Sequence, residues 1–261
     1  MRTAMALFLM FNILLLGACG GCTRKQPDNK EQNFRNFPIK SFIKVITKIE
    51  IQSCKKDKEC LKGEFFSSGS GITIGTIYGG SLVLTAGHVC DVKLRQDIMD
   101  VVKDYKTSIS IANYKGRIVG AKIVKVAHNE RDPRDLCLLF ANDIKGEYVN
   151  FASQPARVGE DVFSMAAPAG LFHAPTVPLL RGIFSGPIGG GNVMTTIPAT
   201  GGSSGGAILN SNMKIVGVLY ATAREFNNVS LATSYVDTVL FVDEAVRYFL
   251  SMPVKNWKSN L

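Results

Sequence analysis

What most restricts the fold of this chain is how short its apolar runs are. Between residues 39 and 240 they span 42–51, 71–77, 81–85, 108–113, 118–127, 136–140, 162–166, 191–196, 215–220 and 230–236, separated by Gly, Pro, Asn or Asp. Short strands between turn residues at this spacing predict an all-β body, a barrel or a sandwich. Two stretches depart from the pattern. Residues 91–104 read as partly helical, and in 243–250 the residues Ala245, Val246, Phe249 and Leu250 recur at helical spacing. With 46% hydrophobic and 20% charged residues the chain is neither disordered, collagen-like nor coiled coil. Its 261 residues suit one large domain or two halves of about 100 residues that each bury a core. No repeat or long linker divides the body, so two barrels packed together would form one unit.

The N-terminus reads as an export signal. Arg2 precedes the apolar stretch 6–16, which ends at Gly17-Ala18 and is too short to span a membrane. Leu16-Gly17-Ala18-Cys19 resembles the lipobox of bacterial lipoproteins, which implies removal of residues 1–18 and acylation of Cys19. More than one acyl chain gives firm anchoring, because each buried methylene contributes about 0.8 kcal/mol. Residues 20–38 are polar and poor in aliphatics, a flexible tether after Cys19 with an rms reach of roughly 25 Å. Gly20 after Cys19 implies, by the same resemblance, the outer membrane or cell surface.

The formal charge of +9 raises the question of nucleic acid. The cations are scattered, and the densest run, 55–62, mixes Lys with Asp and Glu and has no recognition helix or interleaved aromatics. No nucleic-acid partner is therefore expected; an anionic membrane surface suits the charge better. Export sets an oxidising compartment for the six cysteines. Cys54 and Cys60 flank a short polar segment and predict a disulfide at a hairpin tip. Cys22 falls in the tether. Cys90 and Cys137 sit in apolar runs, where free buried thiols and a bridge are both open.

Three segments carry chemistry. Leu84-Thr85-Ala86-Gly87-His88-Val89-Cys90 delivers a histidine at a strand exit, and Asp132-Pro133-Arg134-Asp135-Leu136-Cys137-Leu138-Leu139-Phe140 sets a carboxylate at the mouth of an apolar strand. In Thr200-Gly201-Gly202-Ser203-Ser204-Gly205-Gly206-Ala207, glycines on both sides permit a sharp turn that directs N–H groups to one point. Together, in the order His, Asp, Ser, these segments resemble the active-site motifs of trypsin-like serine proteases over residues 40–250. In 159–162, 168–170, 182–186 and 195–209 the likeness is to the bacterial heat-shock branch.

That resemblance implies two antiparallel six-stranded barrels, about 39–148 and 149–240, with the active site in the cleft between them and a C-terminal helix near 242–251, all within a protease domain 39–261. It implies a serine endopeptidase acting on protein or peptide substrates without a cofactor or metal. Ser204 would be the nucleophile, His88 its base and Asp135 the residue that orients His88, with the amides of Gly202 and Ser204 as the oxyanion hole. Motif alignment puts Pro198, Ala199, Thr200, Leu219, Tyr220, Ala221 and Thr222 around the primary pocket with Ala232 near its base. None is charged, which favours a small or medium apolar side chain; Tyr220–Thr222 would pair with an extended substrate.

Other readings fit less well. Gly202-Ser203-Ser204-Gly205-Gly206 also satisfies the nucleophile elbow of α/β-hydrolases, but that fold places its histidine after the serine, and His88, His128 and His173 all precede Ser204. No His-Glu-x-x-His or paired Cys-x-x-Cys spacing suggests zinc. Asp132 and Ser203 are the alternatives to Asp135 and Ser204. Ser203 stands where the digestive enzymes carry an aspartate that pairs with a new N-terminus, so activation of that kind is not expected. The competing class is an inactive protease-fold binding module or surface adhesin.

Overall fold

The computed structural model describes residues 36–261 apart from 93, 95, 145, 224, 225, 254–256 and 258–261. The leader, Cys19, Cys22 and most of the expected tether lie outside the described residues. One folded unit starts at Asn36. Phe37, expected in the tether, is buried in this unit, edge-on to Phe163 with ring centroids 6.0 Å apart.

Two closed six-stranded barrels make up the body, and every strand pair is antiparallel. Barrel one contains β1 (Phe42–Cys54), β2 (Gly63–Ile77), β3 (Gly80–Ala86), β4 (Val102–Asn113), β5 (Ile118–Asn129) and β6 (Asp132–Ala141), in the order β1-β2-β3-β6-β5-β4. The short helices α1 (Gly87–Cys90) and α2 (Gln96–Met99) lie between β3 and β4, so the helical reading of 91–104 reduces to one turn. Barrel two contains β7 (Asp161–Met165), β8 (Leu179–Gly189), β9 (Asn192–Thr195), β10 (Ala207–Leu209), β11 (Ile215–Ala223) and β12 (Phe226–Thr233), in the order β10-β11-β12-β9-β8-β7. The apolar runs miss β8, which is broken by Gly182, Gly186 and Pro187, and β10, which has only three residues.

The C-terminal helix α3 (Tyr235–Ser251) starts well before 242. Tyr235 and Val236 read as the end of a strand because aromatic and β-branched residues favour strands. Ser234 decides the matter locally: its hydroxyl accepts the Asp237 N–H at 3.2 Å, an N-cap that starts the helix there. The buried face runs through Thr238, Phe241, Ala245 and Phe249, while Leu250 is exposed.

Side-chain alternation builds four apolar clusters from these strands among the described residues, two of which meet at β6. On β6, Leu136, Leu138 and Phe140 point to the layer shared with barrel two and α3, while Cys137, Leu139 and Ala141 fill barrel one. That is why β3 is buried throughout and β6 from Asp135 onward. Phe163, Met165, Leu209 and Val218 meet the shared layer from barrel two, and Phe249 packs on Phe140 at 5.0 Å between centroids. Each such buried side chain contributes roughly 1.5–3 kcal/mol, so the shared layer joins the two barrels into one unit.

Candidate active site

The fully buried strand β3 ends at Ala86 and the chain turns directly into α1, which carries His88. Gly87 allows that turn to lie on β5: a Cβ there would stand 2.7 Å from the Ala127 carbonyl oxygen and 2.8 Å from His128 Cβ. Asp135 adopts φ +51°, a left-handed conformation that aspartate accepts more readily than most residues. The preceding carbonyl, that of Arg134, accepts the Thr233 hydroxyl at 2.6 Å, tying the kink to barrel two.

His88 and Asp135 meet in two ways. The His88 backbone N–H donates to Asp135 Oδ1 at 2.8 Å, and its ring Nδ1 lies 2.9 Å from Oδ2 and 3.2 Å from Oδ1. Cys90 and Cys137, each two residues beyond, form a disulfide that fastens α1 to β6. Of the two alternatives open in the sequence, the bridge is the one found, because the β3–β6 register brings Thr85 opposite Cys137 at the root of α1. Burial works against the charge of Asp135, but the hydrogen bonds and charge of His88, with a smaller contribution from His128, outweigh it and hold the carboxyl below its ordinary pKa. Asp132 faces elsewhere: both its oxygens lie 2.7 Å from Arg134 nitrogens, and Arg134 continues to Glu244 on α3.

Ser204 sits on the turn before β10. Gly202 has φ +92° and Gly205 φ +87°, and neither could carry a side chain, since a Cβ would strike the Ala167 carbonyl oxygen in the first case and the Ser70 carbonyl oxygen in the second. The Gly201 carbonyl accepts the Ala169 N–H at 2.6 Å and the Ser203 carbonyl accepts the Gly206 N–H at 2.9 Å. A trans peptide sets its N–H opposite its C=O, so the amides of Gly202 and Ser204 are turned the other way. Among the described residues neither amide has an acceptor. The two serines differ: Ser203 is buried with its hydroxyl accepting the Thr200 N–H at 3.2 Å, whereas Ser204 is partly exposed and donates to the Tyr220 carbonyl at 3.3 Å.

Contacts across the barrels bring this turn to the His88 segment. The Ser204 carbonyl accepts the Ser70 N–H at 2.7 Å, and at Gly69 a Cβ would touch both Val89 and the Ser204 carbonyl oxygen. Ser70 is a site residue the motifs do not mark. Fully buried on β2, it donates its hydroxyl to the Gly202 carbonyl and accepts the Ala167 N–H, each at 2.8 Å, and its own carbonyl accepts Thr85 Oγ1 at 2.7 Å. The signal was the small-residue run Ser67-Ser68-Gly69-Ser70-Gly71 inside a strand, which marks close backbone approach.

A cavity of about 170 Å³ opens beside Ser204, lined by Ala199, Thr200, Gly201, Ser203, Leu219, Tyr220, Ala221 and Thr222. Six of the expected pocket residues are on that wall. Pro198 is not and is exposed; Ala232 is packed in the barrel-two core, paired in register with Leu219 and thus behind the wall. Gly201 and Ser203 line the cavity although the alignment left them out. Cys54 and Cys60 form the expected disulfide at the β1–β2 tip.

A profile of the trypsin-like peptidase domain matches residues 69–218, which hold His88, Asp135 and Ser204. No curated protein sequence matches the chain. Among solved structures it is similar to the serine endoprotease from Yersinia pestis, with TM-score 0.58 and 18% identity over 85% of this chain and 68% of that one. It is also similar to a protein of Mycobacterium tuberculosis solved as an inactive serine-to-alanine mutant, with TM-score 0.54 and 16% identity over 83% and 90% of the two chains. At these identities the likeness is one of fold.

Proposed function

Because this chain belongs to the family of trypsin-like peptidase domains, we propose that it is a serine endopeptidase whose triad is His88, Asp135 and Ser204. The observation that carries the reading is the 2.9 Å contact between His88 Nδ1 and Asp135 Oδ2. With Nδ1–H committed to Asp135, Nε2 is the nitrogen left to accept a proton.

Ser204 Oγ attacks the substrate carbonyl carbon as His88 Nε2 takes its proton, and Asp135 stabilises the imidazolium that forms. The amides of Gly202 and Ser204 donate to the oxyanion, an interaction whose loss costs roughly 3–4 kcal/mol per donor. The C–N bond then breaks, the amine leaves with the proton from His88, and the acyl group stays on Ser204 as an ester. Water, deprotonated by His88, hydrolyses that ester and restores the serine. The uncharged cavity beside Ser204 suits a small or medium apolar side chain, since an arginine there would have no carboxylate to meet. Tyr220–Thr222 on β11 would receive the substrate as an added strand.

Reaction of the full chain with a fluorophosphonate tests this. Wild type is labelled, and Ser204→Ala loses labelling and at least about a thousandfold in peptide hydrolysis. Labelling that survives in Ser204→Ala rejects this nucleophile, and a wild type that never labels favours the inactive binding module.

We further propose that the enzyme is exported and held to a membrane by lipid on Cys19. The lipobox-like Leu16-Gly17-Ala18-Cys19 supports this, and so do two disulfides, which persist in oxidising compartments. Radiolabelled palmitate should enter wild type and not Cys19→Ser; equal incorporation removes the anchor.

A further inference from the structure

The site holds a second imidazole that this mechanism does not use. His128, near the end of β5, has its Nδ1 3.2 Å from Asp135 Oδ1, the oxygen that also accepts the His88 backbone N–H. Its ring centroid is 6.0 Å from that of His88, with the planes at 60°. The Asp135 carboxylate therefore stands between two imidazoles. Both rings are about one-third exposed, at 34% for His88 and 35% for His128, so solvent protons reach each of them.

Other titratable groups stand around this trio. From α1 the neighbour is His88 and from β6 it is Asp135; on β11 lies the Tyr220 phenol, which burial first and the Asp135 charge second keep protonated. Lys125, on the same strand as His128, is 2.6 Å from Glu244, and Arg134 is held by Asp132 and Glu244. Among the described residues no group of three or more His, Cys, Asp or Glu side chains is placed to hold a metal ion.

Resting on the peptidase reading, we propose that His128 is a positioning residue that shares the Asp135 carboxylate with His88 and so keeps His88 unprotonated further into acid than Asp135 alone would allow. The sign follows from the geometry. A protonated His128 beside Oδ1 offsets the charge of the carboxylate and repels a second proton on His88. That weakens the hold on a proton at His88, which must be free of it to act as base. His128 then sets how deep into acid the active form survives.

The test compares the full chain as wild type, His128→Gln and His128→Phe, reading peptide hydrolysis and fluorophosphonate labelling against pH. Neither replacement can carry a charge, and the two differ in polarity. On the alkaline plateau His128→Gln should stay within about threefold of wild type, while its acid limb moves up by roughly half a pH unit, a threefold loss of acid-side rate, and that of His128→Phe moves as far. A purely structural role would lower the plateau and leave the limb in place, and that result overturns the proposal. NMR titration of the His88 ring reads the same effect without turnover: the midpoint rises when His128 is replaced. A protein that never labels but shows this rise loses the peptidase reading and keeps the coupling; an unmoved midpoint in a labelling enzyme does the reverse.

Discussion

Barrel one holds His88 and Asp135 through side chains and a covalent link: a carboxylate against an imidazole at 2.9 Å, with the Cys90–Cys137 disulfide behind them. Barrel two holds Ser204 through backbone. Its turn is fixed by amides and carbonyls of Thr200, Gly201, Ser203 and Gly206, and by glycines at positions where any side chain would collide. The difference teaches where each half is vulnerable. A side-chain clamp can be weakened stepwise, whereas a backbone turn packed this tightly accepts almost no added atom.

The sharpest way to break the comparison is to add one methyl group. At Gly205 a Cβ would strike the Ser70 carbonyl oxygen and Thr85 Oγ1 and lie 3.0 Å from Ala86 N, at φ +87°. Gly205→Ala should therefore lose at least about 3 kcal/mol of stability and most of its labelling. At Gly201, four residues earlier, an added Cβ would meet nothing within 4 Å, so Gly201→Ala should fold and label like wild type within a few fold. Thermal unfolding and fluorophosphonate kinetics on the pair decide it; a fully active Gly205→Ala would mean that the turn is not held by backbone contacts.

Cutting the clamp of barrel one comes next in size. The Cys90–Cys137 bridge closes a loop spanning 47 residues, and its removal by paired alanine substitution should cost about 2–4 kcal/mol and slow labelling, because α1 and β6 are freed on either side of the His88–Asp135 contact. The Cys54–Cys60 bridge closes only a short loop at the hairpin tip. Losing it should cost less and leave labelling unchanged. Equal effects on labelling from both would show that the inner bridge does nothing for the site.

This contrast also explains what could be read from the residues. His88, Asp135 and Ser204 stand out because their chemistry depends on residue type, and the alternating burial of β6 is written in Asp135-Leu136-Cys137-Leu138-Leu139-Phe140. The strands β8 and β10 were hidden because glycine, proline and short length erase alternation. Helix α3 began early because a single capping serine outweighed the strand preference of Tyr235 and Val236. The Cys90–Cys137 pairing depends on the β3–β6 register, a long-range property that spacing does not encode. His128 was invisible as a site residue for the same reason, since it is not adjacent in sequence to the group it contacts, and Ser70 left only the small-residue run around it as a signal.

Ser70 is where the two modes of support meet, because a barrel-one side chain braces a barrel-two backbone. Its hydroxyl satisfies the Gly202 carbonyl and the Ala167 N–H together, and both would be left without their partner in Ser70→Ala. An unsatisfied buried group costs about 1–3 kcal/mol, so that variant should be less stable than wild type, though less affected than the Cys90–Cys137 variant. The backbone bond from Ser70 N–H to the Ser204 carbonyl does not involve the hydroxyl and should survive. Ser204 would then remain in position while the Gly202–Ser203 peptide loosens and, with it, the neighbouring peptide that carries the Gly202 amide. The expected signature is a fall of about tenfold in kcat with little change in KM, since on the proposed mechanism the Gly202 amide serves the oxyanion and not ground-state binding. A rise in KM at unchanged kcat would instead place Ser70 in support of the specificity cavity, and the division between a side-chain half and a backbone half would have to be redrawn around it.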